Sequence, residues 1–225
     1  TRVTVAGLVC MTIAACGLAR VSHAADESTE TSAVHLQATY VWQRKAAFDA
    51  PYSGANSLAQ RREKSYSFTT TASLGFRPWQ GGEFYFDPEA AQGVPLSGLT
   101  GLGGFTNGEI ARTAGPNLKV YRARAFLRQT WATGDEGEWV GSGADQLAGF
   151  VPRRRLVLTA GNFSLLDVFD DNAYSHDART QFLNWSLMTH GAYDYAADAR
   201  GYTWGAALEW YHDDWVLRAG RALQP

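Results

Sequence analysis

Apolar and polar positions alternate with period two along several stretches of the chain, the spacing of β-strands with two unlike faces. From Val34 to Gln43, Val34, Leu36, Ala38, Tyr40 and Trp42 share one face. His35, Gln37, Thr39 and Gln43 share the other, with Val41 the exception. Ser65 to Arg77 repeats the pattern, with Tyr66, Phe68, Thr70, Ala72, Leu74 and Phe76 opposite a row of Ser, Thr, Gly and Arg77. Pro78 to Gly82 reads as a hairpin turn, and Glu83 to Asp87 starts the return strand. In Lys119 to Trp131, alternation sets Tyr121, Ala123, Ala125, Leu127 and Trp131 against Arg122, Arg124, Phe126, Arg128 and Thr130. Arg154 to Asn162, Gly201 to Tyr211 and Trp215 to Arg221 are further strands, the last two joined at His212-Asp213-Asp214. The pattern predicts about seven or eight strands.

Three arginines on one face cannot meet lipid, where each costs roughly 2–4 kcal/mol near the midplane. They fit a water-filled lumen, or the solvated face of a soluble sheet. The apolar face favours the first, because it sets Tyr40, Trp42, Trp131, Tyr202, Trp210 and Trp215 near its ends, as an interfacial aromatic girdle requires. Connections at 78–82 and 212–214 are tight, whereas 44–64, 88–118 and 163–199 are long. Short turns on one side and long loops on the other are a barrel habit. The expected fold is all-β, an antiparallel transmembrane β-barrel.

Composition adds context. The chain has 225 residues, with 23 glycines and 8 tryptophans, which suit short aromatic-rich strands. A formal charge of −2 and the lack of a basic block argue against a nucleic-acid partner. Arg2, the uncharged run Val3–Leu18 and Ser22-His23-Ala24 read as a secretory signal peptide over residues 1–24, cut before Ala25. A lipoprotein signal ending at Cys16 is the alternative. Cys10 and Cys16 both fall in this leader, so residues 25–225, the expected barrel portion, carry no disulfide. No later run of roughly 20 apolar residues occurs, so a membrane span must be made of strands.

Several runs resemble the carbohydrate-selective porin (OprB) family. They are Gly82–Glu89, Gly104–Glu109, Arg124–Thr130, Leu158–Ser164, Asp167–Asp177 with Arg179–Trp185, and Tyr195–Thr203. The resemblance implies a sixteen-stranded outer-membrane barrel, of which this chain is an N-terminal portion, with a constriction bearing arginine and glutamate that passes monosaccharides. It implies sugars and outer-membrane lipid as partners, no cofactor and no catalysis.

Sugar passage needs polar groups that replace water around hydroxyls, and selectivity comes from pore width and lining charge. The candidate pore-lining residues are Arg122, Arg124, Arg128, Glu83, Glu209 and Arg218, all inward by alternation. Asp170, Asp171, His176, Asp177 and Arg179 lie in a long charged segment that reads either as a constriction loop folded into the pore or as a surface loop held by Asx turns. The segment lacks the EF-hand spacing, so no metal is expected. Two other functions compete: a barrel lipase or deacylase, for which His176 and His190 are present but no nucleophile elbow is, and an exported carbohydrate-binding β-sandwich.

Overall fold

The computed structural model describes residues 28–110, 115–170, 172–188 and 195–224; the expected leader, Asp171 and His190 lie outside the described residues. Nine strands are present among them: β1 (Ser32–Lys45), β2 (Glu63–Trp79), β3 (Gly82–Val94), β4 (Gly115–Ala132), β5 (Gly137–Val140), β6 (Gly149–Pro152), β7 (Arg155–Phe163), β8 (Thr203–His212) and β9 (Trp215–Ala222). Seven form one antiparallel sheet in the order β1-β2-β3-β4-β7-β8-β9, and β5 and β6 pair as a separate hairpin.

Register preserves the two faces. Val34, Leu36, Tyr40 and Trp42 stand opposite Leu74, Ala72, Phe68 and Tyr66, while Thr39 and Gln43 stand opposite Thr69 and Ser65. A one-residue slip would move every apolar side chain to the other face, so the alternation itself pins the pairing. The apolar face is left open: Leu36 is 78% exposed and Val120 74% exposed, and Phe76, Phe84, Trp131, Trp204, Trp210 and Trp215 join them. A soluble sandwich would bury this face. No helix among the described residues is long and apolar enough to cross a membrane.

The structure differs from the pattern in three places. First, β3 does not stop at Asp87 but runs to Val94. Pro88 sits within it beside a register shift, where Asp87 pairs with Arg124 and Pro88 with Arg122, leaving Ala123 as the extra residue of a β-bulge. Proline lacks an amide donor and is tolerated in sheets at bulges. Second, that extra residue reverses the alternation of β4 towards its start. Tyr121 joins Glu89 on the polar face, and Arg122 moves to the apolar one. The expectation that Arg122, Arg124 and Arg128 share a face is therefore corrected for Arg122.

Third, the tight-turn end is not uniformly short. Residues 133–154 leave it, form the β5–β6 hairpin and send 141–148 across the polar face. There Leu147, fully buried, packs with Tyr85, Phe126, Phe163, Val168 and Ala207. Tyr85 and Phe126 stack at 5.1 Å between ring centroids, and Phe126 meets Phe163 edge-on at 6.4 Å. Part of the face expected to be wet is thus a packed apolar knot. Gly75 makes room for it, since a Cβ there would come within 3.0 Å of both Leu147 and Tyr85.

The knot anchors the inserted segment. Leu147→Ala leaves a cavity that the surrounding β-strands cannot close, so we expect unfolding in denaturant to be easier by about 2–5 kcal/mol. Unchanged stability would show that Leu147 does not hold the segment down.

Candidate functional site

The polar face is a series of charge clusters, built from alternate side chains of adjacent strands and, in two of them, from connections that fold across it. Glu83, Tyr85, Asp87 and Glu89 on β3 point the same way. Glu83 takes Arg77 Nη2 from β2 at 2.6 Å and lies 3.6 Å from Arg128 Nη1 of β4, while the Tyr85 hydroxyl donates to Glu83 at 2.9 Å. On β8 and β9, Arg218 Nε donates to Glu209 at 2.8 Å and the Tyr211 hydroxyl donates to the same carboxylate at 2.8 Å. The Arg155 guanidinium of β7 lies over the Tyr211 ring at 3.7 Å.

Between these lies Arg124. It donates from Nε and Nη2 to the two carboxylate oxygens of Asp167, both at 2.8 Å. It is also 3.7 Å from Asp87 on its neighbouring strand and 3.5 Å from Asp145 in the inserted segment. Asp167 belongs to α1 (Leu166–Phe169), a single turn in the long connection after β7. One guanidinium therefore ties together the sheet, a segment arriving from the tight-turn end and a segment arriving from the long-connection end. Its planar fork suits this, because it can pair bidentately with one carboxylate and still face others. Asp145 is fixed in turn by Ser73, whose hydroxyl donates to it at 3.1 Å, and its carbonyl accepts from Arg128 at 2.9 Å. Burial alone would raise the Asp167 carboxyl; the adjoining Arg124 charge and its hydrogen bonds outweigh that and hold it below the usual carboxylate range.

A second clamp lies nearer the long connections. Arg179 reaches Glu89 and Glu109, each at 3.1 Å, and the Tyr121 hydroxyl donates to Glu89. Glu109 accepts from Thr69 at 3.0 Å, and Asn107 donates to Ser67 at 2.9 Å, so residues 105–110 also lie across the polar face. The candidates in 170–179 divide. Arg179 joins the sheet; Asp170 is buried, and its carbonyl meets His176 Nδ1 at 2.8 Å; Asp177 caps a local turn through the Arg179 amide and the Thr180 hydroxyl. Ser142 Oγ meets His35 Nε2 of the edge strand β1 at 2.9 Å, an exposed Ser–His contact.

A cavity of about 750 Å³ remains beside the Arg124 clamp, with Glu83, Arg128, Arg155, Glu209, Tyr211 and Arg218 on its walls. Four of the six candidate pore-lining residues, Glu83, Arg128, Glu209 and Arg218, thus share one space. Arg124 stands at its edge through Asp167, and Arg122 lies apart, donating to Asn162 at 3.3 Å and resting 5.0 Å from the Trp204 ring. Asp87, Glu89 and Arg155 were within reach of sequence reasoning, since alternation carries Glu83 on to Asp87 and Glu89, and Leu156 implies an inward Arg155. Asp145 and Asp167 gave no periodic signal, because each arrives from a connection.

Replacing Arg124 leaves Asp87, Asp145 and Asp167 facing one another without their cation. Breaking a fully buried pair costs about 3–5 kcal/mol and this half-buried one less, so Arg124→Gln should unfold in less denaturant. Because the Asp167 value is depressed on folding, its contribution is complete above about pH 4 and is lost as pH falls through the lower folded value. Resistance of the wild type to denaturant should therefore fall as pH drops below about 4, and more steeply than that of Arg124→Gln; identical profiles would show that this pair does not hold α1 in place.

A family model for the carbohydrate-selective porin, OprB family, matches residues 58–224, from ahead of β2 through the end of β9. No curated protein and no solved structure matches the chain. An exposed apolar face backed by a face of paired charges is what the wall of such a channel needs, and the match spans both clamps and the cavity between their strands. The chain belongs to the carbohydrate-selective porin, OprB family, of the bacterial outer membrane.

Proposed function

We propose that this protein forms a passive diffusion pore for small sugars, narrowed by the segments that Arg124 and Arg179 hold against the inner face of the wall. The observation that carries this reading is the Arg124 clamp, which pins Asp145 and Asp167 from opposite ends and leaves the 750 Å³ polar-walled cavity beside it. Binding sites for small molecules commonly have volumes of about 300–1,000 Å³. Arg128, Glu83, Glu209 and Arg218 present donors and acceptors to that space, so a sugar hydroxyl leaving water finds a replacement partner. Every one of these charges already has an opposite partner on the wall, which keeps the lining polar without a strong field of either sign. A neutral, hydroxyl-rich solute fits such a lining better than an ion does.

The remaining expectations follow from the same reading. Edge strands β1 and β9 carry unpaired backbone groups that lipid cannot satisfy, so the seven-stranded sheet is part of a closed barrel. Residues 1–24 act as a cleaved export signal. Asp170, His176 and Asp177 shape the inward segment, and Arg179 fastens it to β3; Asp171 falls within the same segment. Transport requires no cofactor and no covalent step.

The test is conductance of the full-length protein in a planar bilayer, titrated with glucose. Stable channels blocked by glucose are expected, and the paired substitution Arg128→Ala and Arg218→Ala should weaken block roughly ten-fold, or about 1.4 kcal/mol. Channels indifferent to glucose would remove the sugar assignment, and a folded barrel that conducts nothing would remove the pore.

A further inference from the structure

Among the described strand residues, the apolar face carries cations only towards the long connections. Arg44 and Lys64 are direct register partners there, with Trp42 opposite Tyr66 as the next pair on the same face. The bulge at Ala123 puts Arg122 on this face, and Arg221, opposite Ala206 of β8, completes the set. All four are exposed. All four also lie in the halves of their strands nearer the long connections. Among the described strand residues on this face no Asp or Glu occurs; Glu63, Glu83, Asp87, Glu89 and Glu209 all have the opposite parity. At the tight-turn end the contrast is plain: Arg153 and Arg154 are paired with Asp214 and Asp213 at 3.9 and 2.6 Å.

Two features of this band call for an anion. Like charges directly opposite on neighbouring strands are destabilising, and Arg44 and Lys64 are so placed. Arg122 is held near Trp204 by a cation–π contact and a hydrogen bond to Asn162, which keeps its guanidinium beside an aromatic of the kind that sits at headgroup level. Long basic side chains at that depth extend toward the polar interface while their stems cover apolar surface.

We propose that this band binds the phosphate groups of anionic lipid headgroups in the leaflet on the long-connection side. The inference rests on the membrane-barrel reading, in which the apolar face meets lipid and the long connections face outward. Arg and Lys supply the charge, Arg as a bidentate fork for phosphate oxygens, and the described strand residues of this face offer these cations no competing carboxylate. The same lipid contact would relieve the Arg44–Lys64 repulsion and orient the wall across an asymmetric membrane.

The test uses the full-length protein folded in neutral detergent, titrated with bisphosphorylated lipid A and with its dephosphorylated analogue, and read by tryptophan fluorescence and by co-purified lipid. Binding of the phosphorylated form should be at least ten-fold tighter, and should weaken as salt is raised. Arg44→Gln, Lys64→Gln, Arg122→Gln and Arg221→Gln together should abolish the preference. The swap Arg44→Lys, Lys64→Arg, Arg122→Lys and Arg221→Lys should retain it. Equal binding of the two lipids, or a preference that survives the four glutamines, overturns the proposal. So does a response to inorganic phosphate alone at the same concentration. If the glutamine variant does not fold, the salt dependence and phosphate preference of the unaltered protein decide the matter. Glucose-blocked conductance without lipid preference would leave the pore standing and remove the band, whereas lipid preference without conductance would do the reverse.

Discussion

The arrangement of the polar face depends on where one guanidinium can put its charge. Arg124 sits on β4 among Asp87, Asp145 and Asp167, and only the first of these comes from the sheet. Taking ions out of bulk water is costly, and the mutual attraction repays this only with good geometry. Two bonds of 2.8 Å to Asp167 provide that geometry, so α1 is positioned by the pair. The net gain from such a pair is small, but the loss on removing one partner is large. The clamp is therefore better understood as specifying where two chain segments lie than as the source of the fold's stability.

Stability on this face comes from the neighbouring apolar knot. Leu147 lies only two residues from Asp145, and Val168 one residue from Asp167, so each inward segment is held twice: once by charge at Arg124 and once by packing around Tyr85 and Phe126. The division shapes the face: apolar packing fills its middle, and Glu83, Arg128, Glu209 and Arg218 line a cavity beside it.

The legible part of this fold was the part governed by period two. In β1 and β2 alternation announced the two faces, Val41 apart, and the observed register keeps like faces together. Reading failed where the period broke. Residues 88–118 read as one long connection, yet β3 continues to Val94, with Pro88 tolerated beside the bulge at Ala123, a feature defined by two strands at once and invisible in either alone. Arg122 was misplaced for that reason. The charged residues of the regular strands share a face as alternation implies, whereas Asp145 and Asp167, separated from Arg124 by 21 and 43 positions, depend on how connections fold back, which local pattern does not encode.

The bulge links the two faces of the wall. Without Ala123 as an extra residue, strict alternation would aim Arg122 inward beside Arg124, adding an unpaired cation to a cluster whose carboxylates are already engaged, and Tyr121 would turn away from Glu89. With it, the inner face keeps its charges matched and the outer face gains a cation next to Trp204. A formal charge of −2 for the whole chain conceals this separation. On the polar face, acids and bases neutralise one another; on the apolar face, the described strands carry bases without acids, towards one end. A single inserted residue thus serves both surfaces, because in a β-sheet any change in parity is felt on both sides at once.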